Sequence, residues 1–346
     1  MGYSLKIKTN KCLDPINSDE NPLLPSYLPV EAKKKGIHLF DCFNFSLTTS
    51  KERFFGCSLP YVSNQDQKRD FIELPKRTKS LFNEEETCII SPSKNEDITR
   101  QALSFSVGAF PVILSSPHSG TFQPSIVPDR FFGLKIEEGY VNEILQIICS
   151  LLPSPPSFIF ANISRSKVDF NRLFLSDEGY NEKSGLAARI HAKYHLILRY
   201  LASNIPSKEY GIFLDLHGFD SEKNNHEARK ADVILGTVNN LTLIERDGVQ
   251  WGKKELIKQL SDANFSIFPT SPDEPEYGPL VGGVIVRSFA DYPNISSIQI
   301  EISDKVRKNK KRRRELAHTI AECLKTIIRE PQDEKERVNE ASSMYS

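Results

Sequence analysis

The sequence holds one tryptophan, two methionines and six cysteines, none of them in a Cys-x-x-Cys pair. That spacing offers no zinc-ribbon or thioredoxin-like motif, and 346 residues are enough to bury a core without disulfide staples. Reduced thiols in the cytoplasm are the expectation. No apolar run approaches the ~20 residues of a membrane helix. The opening Met1-Gly2-Tyr3-Ser4-Leu5-Lys6 has no signal-peptide core, and Lys6 stands where a myristoylation motif requires Ser or Thr. Net charge is missing as well: 45 Lys plus Arg balance 45 Asp plus Glu, so no global field draws the chain to nucleic acid or a membrane. Function must then reside in a local site.

The texture changes along the chain. Over residues 1–104, short apolar pieces alternate with breakers such as Asn21-Pro22 and Ser91-Pro92-Ser93, which fits an N-terminal extension or small β-rich appendage and equally a partly disordered one. Residues 105–330 carry the periodicities of a large domain. Strands are predicted at 110–115, 157–163, 211–216, 232–235 and 295–302, and helices at 136–152, 186–201, 251–260 and 304–328. Strands alternating with helices predict the α/β class, a mainly parallel mixed sheet with helices on both faces. From 331 to 346 the chain reads as a polar tail.

Ligand sites of open α/β sheets lie at the carboxyl ends of the strands. Three predicted strands run into polar residues there: Ser115-Ser116-Pro117-His118, Asp215-Leu216-His217-Gly218 and Gln299-Ile300-Glu301-Ile302. A buried strand has no packing reason to carry such groups, because an unpaired buried charge is costly. Two histidines and a carboxylate at one sheet edge make a zinc site with an open position for water. Each residue alone has a plainer reading: a hydrogen-bonded histidine, or a Glu301 turned to solvent. His191 and His195 share one helical face; His195 supports the site in this reading and His191 lies at the surface. After the strand at 157–163 comes Arg165-Ser166-Lys167-Val168-Asp169-Phe170-Asn171-Arg172, whose apolar Val168 and Phe170 bracket Asp169 and point to an ordered loop rather than a solvated one. Guanidinium groups there could grip a carboxylate at two points or polarise a carbonyl.

These blocks occur in a fixed order with Tyr194-His195, Asp232-Val233-Ile234-Leu235-Gly236 and Gly282-Gly283. Over roughly residues 110–325 the chain resembles the N-formylglutamate amidohydrolases, relatives in fold of the zinc carboxypeptidases and aspartoacylases. The resemblance implies a phosphorylase/hydrolase-like, carboxypeptidase-like fold and one zinc ion on His118 and His217. Thr121 stands where the carboxypeptidases place a glutamate ligand, and Glu138, in Glu138-Gly139-Tyr140, occupies the family's acidic place as third ligand. It further implies Glu301 as general base, Arg165 as oxyanion partner, and Asn171, Arg172 and Gly283 at the substrate. Arg287 would hold a second carboxylate, while Asp169, Asp215 and His195 orient their neighbours. The expected substrate is a small N-acyl amino acid. Departures are Gly218-Phe219-Asp220 after the second histidine and Val284-Ile285-Val286-Arg287 after the glycine pair.

Other readings share some of these residues. Two histidines and a carboxylate also form the facial triad of non-haem iron oxygenases, which are expected on β-rich sheets. A family member that binds without hydrolysing fits the departures near Gly283. The basic run 305–314 could be a nuclear address or nucleic-acid patch. A solvated helix face explains it better, because Leu316, Ile320, Leu324 and Ile327 continue a buried stripe along the same helix.

Overall fold

The computed structural model describes residues 95–344, except 175, 208, 223–226, 247–248 and 279, with side chains over most of 95–328. Within residues 1–94 it describes the backbone of six strands: Tyr3–Asn10 (β1), Leu24–Tyr27 (β2), Cys42–Leu47 (β3), Arg53–Leu59 (β4), Phe71–Pro75 (β5) and Thr87–Pro92 (β6). These close into a barrel in the order β1-β5-β2-β4-β3-β6.

The remaining elements are the helix Glu96–Ala102 (α1), the strands Leu103–Ser106 (β7) and Phe110–Ser116 (β8), the helix Val141–Leu151 (α2) and the strand Pro156–Ala161 (β9). The helix Gly185–Ser203 (α3) leads to the strands Gly211–Phe219 (β10) and Val233–Gly236 (β11). A small hairpin, Glu245–Arg246 (β12) with Val249–Gln250 (β13), precedes the helix Lys253–Asp262 (α4) and the strand Ile267–Phe268 (β14). The helical turn Val284–Arg287 (α5), the strand Ile295–Ser303 (β15) and the helices Asp304–Lys308 (α6) and Lys310–Met344 (α7) complete the chain. Seven strands form one sheet in the order β14-β11-β15-β10-β8-β9-β7. The pairs around β8, β10 and β15 are parallel, whereas β11–β15 and β7–β9 are antiparallel. This is the mixed, mainly parallel α/β sheet expected from the alternation of periods.

Strand alternation assigns the faces. Val112, Leu114, Ile212, Leu214, Leu216, Ile298, Ile300 and Ile302 pack on one side with the apolar stripes of α2, α4 and α7. Ile113, Phe213 and Ile295 pack on the other with α3 and α5. On that second face, alternation also sets Ser115, Asp215, His217, Gln299 and Glu301 at the carboxyl ends of the central strands. β15 is buried along its whole length, so the solvent-facing reading of Glu301 does not hold.

Two predicted helices differ in extent. The period from 136 predicted a helix start there, but α2 begins at Val141 after Tyr140, whose φ is 71°. Residues 136–140 form a loop instead, tied down by the Glu138 N–H donating to the His118 carbonyl at 3.0 Å. The helix expected over 304–328 is interrupted at Asn309, whose backbone is extended, and its backbone runs on through Pro331 to Met344, where the sequence suggests a tail. Among the described residues, no helix is long and apolar enough to cross a membrane.

Candidate metal centre

Three strand ends build the centre. In register, His217 on β10 faces Glu301 on β15, Asp215 faces Gln299, and Ser115 on β8 faces Asp215. Parity then makes the pairs: residues two apart on a strand share a face, and the Nε2 of His217 lies 2.8 Å from Asp215 Oδ2. Ser115 Oγ donates a short hydrogen bond to the other oxygen of Asp215, so that carboxylate is fixed from two sides. His118 is treated alike from the loop after β9, its Nε2 lying 2.7 Å from Asp169 Oδ1. Asp169 also accepts from Arg165 Nε at 3.0 Å and from the Asn171 N–H at 3.0 Å. With Nε2 committed on both rings, each Nδ1 is turned to the same carboxylate. Glu138 Oε1 is 2.9 Å from His118 Nδ1, and Glu138 Oε2 is 3.4 Å from His217 Nδ1. The two imidazole centroids are 4.8 Å apart, edge to face. The sequence reading requires the two rings to converge, and they do.

His118, Glu138 and His217 offer one ligand atom each within 4.8 Å of one another, all buried. Neighbouring ligands of a tetrahedral zinc stand roughly 3.3 Å apart, given zinc–nitrogen and zinc–oxygen distances near 2.0–2.1 Å. The observed separations bracket that value. The charges agree. Burial would raise the Glu138 carboxyl, but His118 and His217 hold it well below the usual range. Burial would equally discourage charge on His217, yet Asp215 and Glu138 raise it well above an ordinary histidine. Three buried carboxylates thus draw positive charge to the point where the two Nδ1 atoms meet. The donor set fits a divalent cation, and the carboxylate behind each imidazole is the usual second partner of a metal-bound histidine.

Around this triad lies an open cavity of about 350 Å³, lined among others by Leu134, Ile136, Arg165, Asn171, Arg172, Phe219, Leu280, Gly283, Gln299 and Glu301. Arg165 donates to Glu138 Oε1 at 2.9 Å, and its guanidinium charge is reinforced because Asp169 and Glu138 outweigh the cost of burial. Burial pushes the Glu301 carboxyl up to about 7, with His217 pulling the other way. Its Oε1 accepts from Gln299 Nε2 at 2.9 Å, and Gln299 Oε1 in turn accepts from the Gly283 N–H at 2.8 Å. Gly283 has no room for a side chain: a Cβ there would stand 2.1 Å from Asn171 Nδ2. Asn171 also anchors the start of α5, its Oδ1 accepting from the Ile285 N–H at 3.1 Å.

Three expected residues take the following places, and one of them, His191, is corrected. Arg287 is exposed, bonded to the Gly282 carbonyl at 3.2 Å, and does not line the cavity of the centre. It borders a separate cavity of about 280 Å³ together with Arg172, His191, His195 and Arg199. The turn α5 carries Arg287 away from Gly283, to a face that only Arg172 shares. His191, expected at the surface, is fully buried, with its Nε2 3.0 Å from the Arg172 carbonyl. His195 does not touch the metal centre; its Nε2 meets the Phe170 carbonyl at 2.9 Å, one residue past Asp169, and so steadies that loop. Nor is the basic run simply a solvated face. Arg313 is buried against Glu143 at 2.9 Å, Arg312 lies 3.2 Å from Asp232, and Arg307 lines the cavity.

Arg307 is one functional residue that sequence reasoning missed. Its side chain donates to the carbonyls of Gly139 (2.8 Å), Phe219 (3.1 Å) and Ile302 (2.9 Å), clasping the backbone beside Glu138, His217 and Glu301. Gly218 makes room for it: a Cβ there would come within 2.4 Å of Arg307 Nε. Its place amid lysines and arginines hid it. Arg130 is the second, fully buried and donating to the carbonyls of Arg165 (2.8 Å), Phe132 (3.1 Å), Leu134 and Glu178. No local signal marks it. Gln299 was legible in principle, since its parity with Glu301 puts both on one face.

No protein-family profile and no curated protein sequence matches the chain. Among solved structures, the chain is similar to an N-formylglutamate amidohydrolase from Ralstonia eutropha JMP134, at 18% identity and a TM-score of 0.48, over 66% of this chain and 99% of that one. A gene product of Agrobacterium tumefaciens is similar at 12% identity and a TM-score of 0.49, over 68% of this chain and 98% of its own. A protein of Shewanella denitrificans OS-217, provisionally named a carboxypeptidase A, is similar at 15% identity and a TM-score of 0.34, over 84% of this chain and 81% of its own.

Proposed function

We propose that the chain is a zinc-dependent amidohydrolase that cleaves the amide bond of an N-acyl amino acid, with N-formylglutamate as the reference substrate. The observation that carries this reading is the pair of imidazoles, each backed by a buried carboxylate, aimed at Glu138 inside an open cavity that also holds Glu301. A divalent cation held by His118, Glu138 and His217 would supply a Lewis acid for the carbonyl and lower the pKa of water from 15.7 toward about 7.

The remaining chemistry belongs to the protein. Glu301, outside the ligand triad and with a carboxyl near neutrality, takes a proton from the attacking water and delivers it to the leaving amine nitrogen as the C–N bond breaks. Arg165 has Nε on Asp169 and Nη1 on Glu138, so Nη2 is left to donate to the carbonyl oxygen as negative charge develops there. Asn171 and Arg172 border the same cavity and suit a carboxylate of the amino-acid half. Asp169 and Asp215 hold the histidines in the tautomer that leaves Nδ1 free to ligate. A second carboxylate would reach Arg287 only through the neighbouring cavity that Arg172 joins.

The test is the metal content of purified protein together with release of formate from N-formyl-glutamate and of amine from a panel of N-acyl amino acids. One equivalent of zinc and turnover of at least one panel member are expected. Iron in place of zinc would favour the oxygenase reading, and metal binding with no turnover would leave a binding protein.

A further inference from the structure

Glu276 and Lys253 form a buried ion pair that the proposed chemistry does not use. Their side chains are 0% and 1% exposed, with Lys253 Nζ 2.8 Å from Glu276 Oε1. A buried pair adds little stability over two apolar residues of similar volume, so its use lies in what it holds. It holds a turn. Directly after β11, Val238, Asn239 and Asn240 all take left-handed backbone, with φ of 54°, 54° and 68°. Three such residues in a row are costly, most of all for β-branched Val238, and a plain connection would place glycine there. Glu276 fixes the turn from within. Its Oε2 accepts from the N–H groups of Thr237 at 2.8 Å and Asn239 at 3.0 Å, and its Oε1 accepts from the Thr237 hydroxyl. Asn239 Oδ1 accepts in return from the Glu276 N–H at 2.8 Å, and Lys253 Nζ donates to Asn240 Oδ1 at 2.7 Å.

The turn bears directly on the metal cavity. The Val238 N–H donates to the Val281 carbonyl at 2.8 Å. Gly282, at φ 129°, lies against the Val238 side chain, and a Cβ there would stand 2.7 Å from Val238 Cγ2. The next N–H along, that of Gly283, donates to Gln299 Oε1 at 2.8 Å, and Gln299 Nε2 donates to Glu301 Oε1 at 2.9 Å. Ion pair, turn, loop and carboxyl are thus joined by an unbroken series of direct contacts. Backbone kept in an unfavourable region by surroundings that over-determine it clusters where exact placement matters.

We propose that Glu276, Lys253 and Val238 are positioning residues: the turn 238–240 is a rigid stop that sets the loop 281–283 and, through Gln299, the aim of Glu301. The inference rests on the amidohydrolase reading, in which Glu301 is the base.

The experiment compares the zinc-loaded full chain with two variants. Val238→Gly keeps the N–H that bonds Val281, takes the left-handed backbone without strain and removes the side chain packed on Gly282. Lost packing and relieved strain roughly cancel, so its thermal midpoint is expected to hold within about 3 °C. Glu276→Gln withdraws one of the two acceptor oxygens. In both, hydrogen exchange at the Gly283 amide, read by mass spectrometry of short peptides, should quicken at least about tenfold. On the preferred member of the substrate panel, kcat should fall at least about tenfold, with KM within about threefold and zinc content unchanged. A role confined to folding would lower the midpoint and leave the kcat of the folded protein alone. Unchanged kcat in Val238→Gly overturns the proposal, and so does unchanged exchange at Gly283. Should Glu276→Gln fail to fold, Val238→Gly decides by itself. If the wild type cleaves no panel member, the amidohydrolase reading falls; quickened exchange then still upholds the stop, and unchanged exchange overturns it as well.

Discussion

Replacing Glu301 by glutamine separates the proposed base from the proposed ligands. The side chain is 5% exposed, and its Oε1 accepts from Gln299 Nε2 at 2.9 Å. Glutamine is nearly isosteric and can present its amide oxygen to the same donor, so the contact and the fold survive. Burial already pushes the Glu301 carboxyl up to about 7, so exchanging it for a neutral amide relieves a desolvation cost rather than adding one. The residue lies outside the His118, Glu138 and His217 set, so bound metal should stay near one equivalent. What disappears is proton transfer. General base catalysis contributes on the order of 10²–10⁴-fold, about 2.7–5.4 kcal/mol of barrier. The expected result for Glu301→Gln is therefore a kcat at least about 100-fold lower, with KM changed only a few-fold and metal content preserved, read by amine release and elemental analysis of the same preparation. A kcat within about threefold of wild type would remove Glu301 from the mechanism. Loss of metal would make it a ligand.

Asp169→Asn should weaken metal affinity about 10–100-fold in a chelator competition, because the carboxylate holds the His118 ring in its ligating orientation; unchanged affinity would show that His118 needs no such partner. Gly283→Ala sets a Cβ 2.1 Å from Asn171 Nδ2 and should displace that amide, lowering kcat/KM roughly 10–100-fold while bound metal stays constant. Stability should depend on His191, which burial pushes from 6.5 down to about 4. Its folded-state pKa is the lower one, so between those values the unfolded chain takes up a proton that the folded chain refuses, and stability falls as pH drops. The effect is about 2 kcal/mol between pH 7 and pH 5, and His195 adds to it in the same direction. Urea unfolding at the two pH values should show the loss in wild type and a smaller one in His191→Gln; equal losses would refute the assignment.

Much of this was determined by the sequence alone, wherever a local period or a short spacing carries the information. The α/β alternation follows from the periods, and the Asp215-Leu216-His217 and Gln299-Ile300-Glu301 triplets place their polar members on one strand face because side chains alternate. The shared face of Glu301 and Gln299 was legible for the same reason. Only the tertiary structure decided what depends on partners distant in the chain. Glu138 meets two histidines across gaps of 20 and about 80 residues because its loop leaves the helical pattern to bond the His118 carbonyl. Arg307 could not be told from its basic neighbours until the carbonyls of two strand ends and of the Gly139 loop were seen around its guanidinium, and Arg287 leaves the centre because a single helical turn rotates it to another face. Periodicity reports which face a residue shares with its neighbours; which carbonyl or carboxylate waits on that face is set by packing between elements.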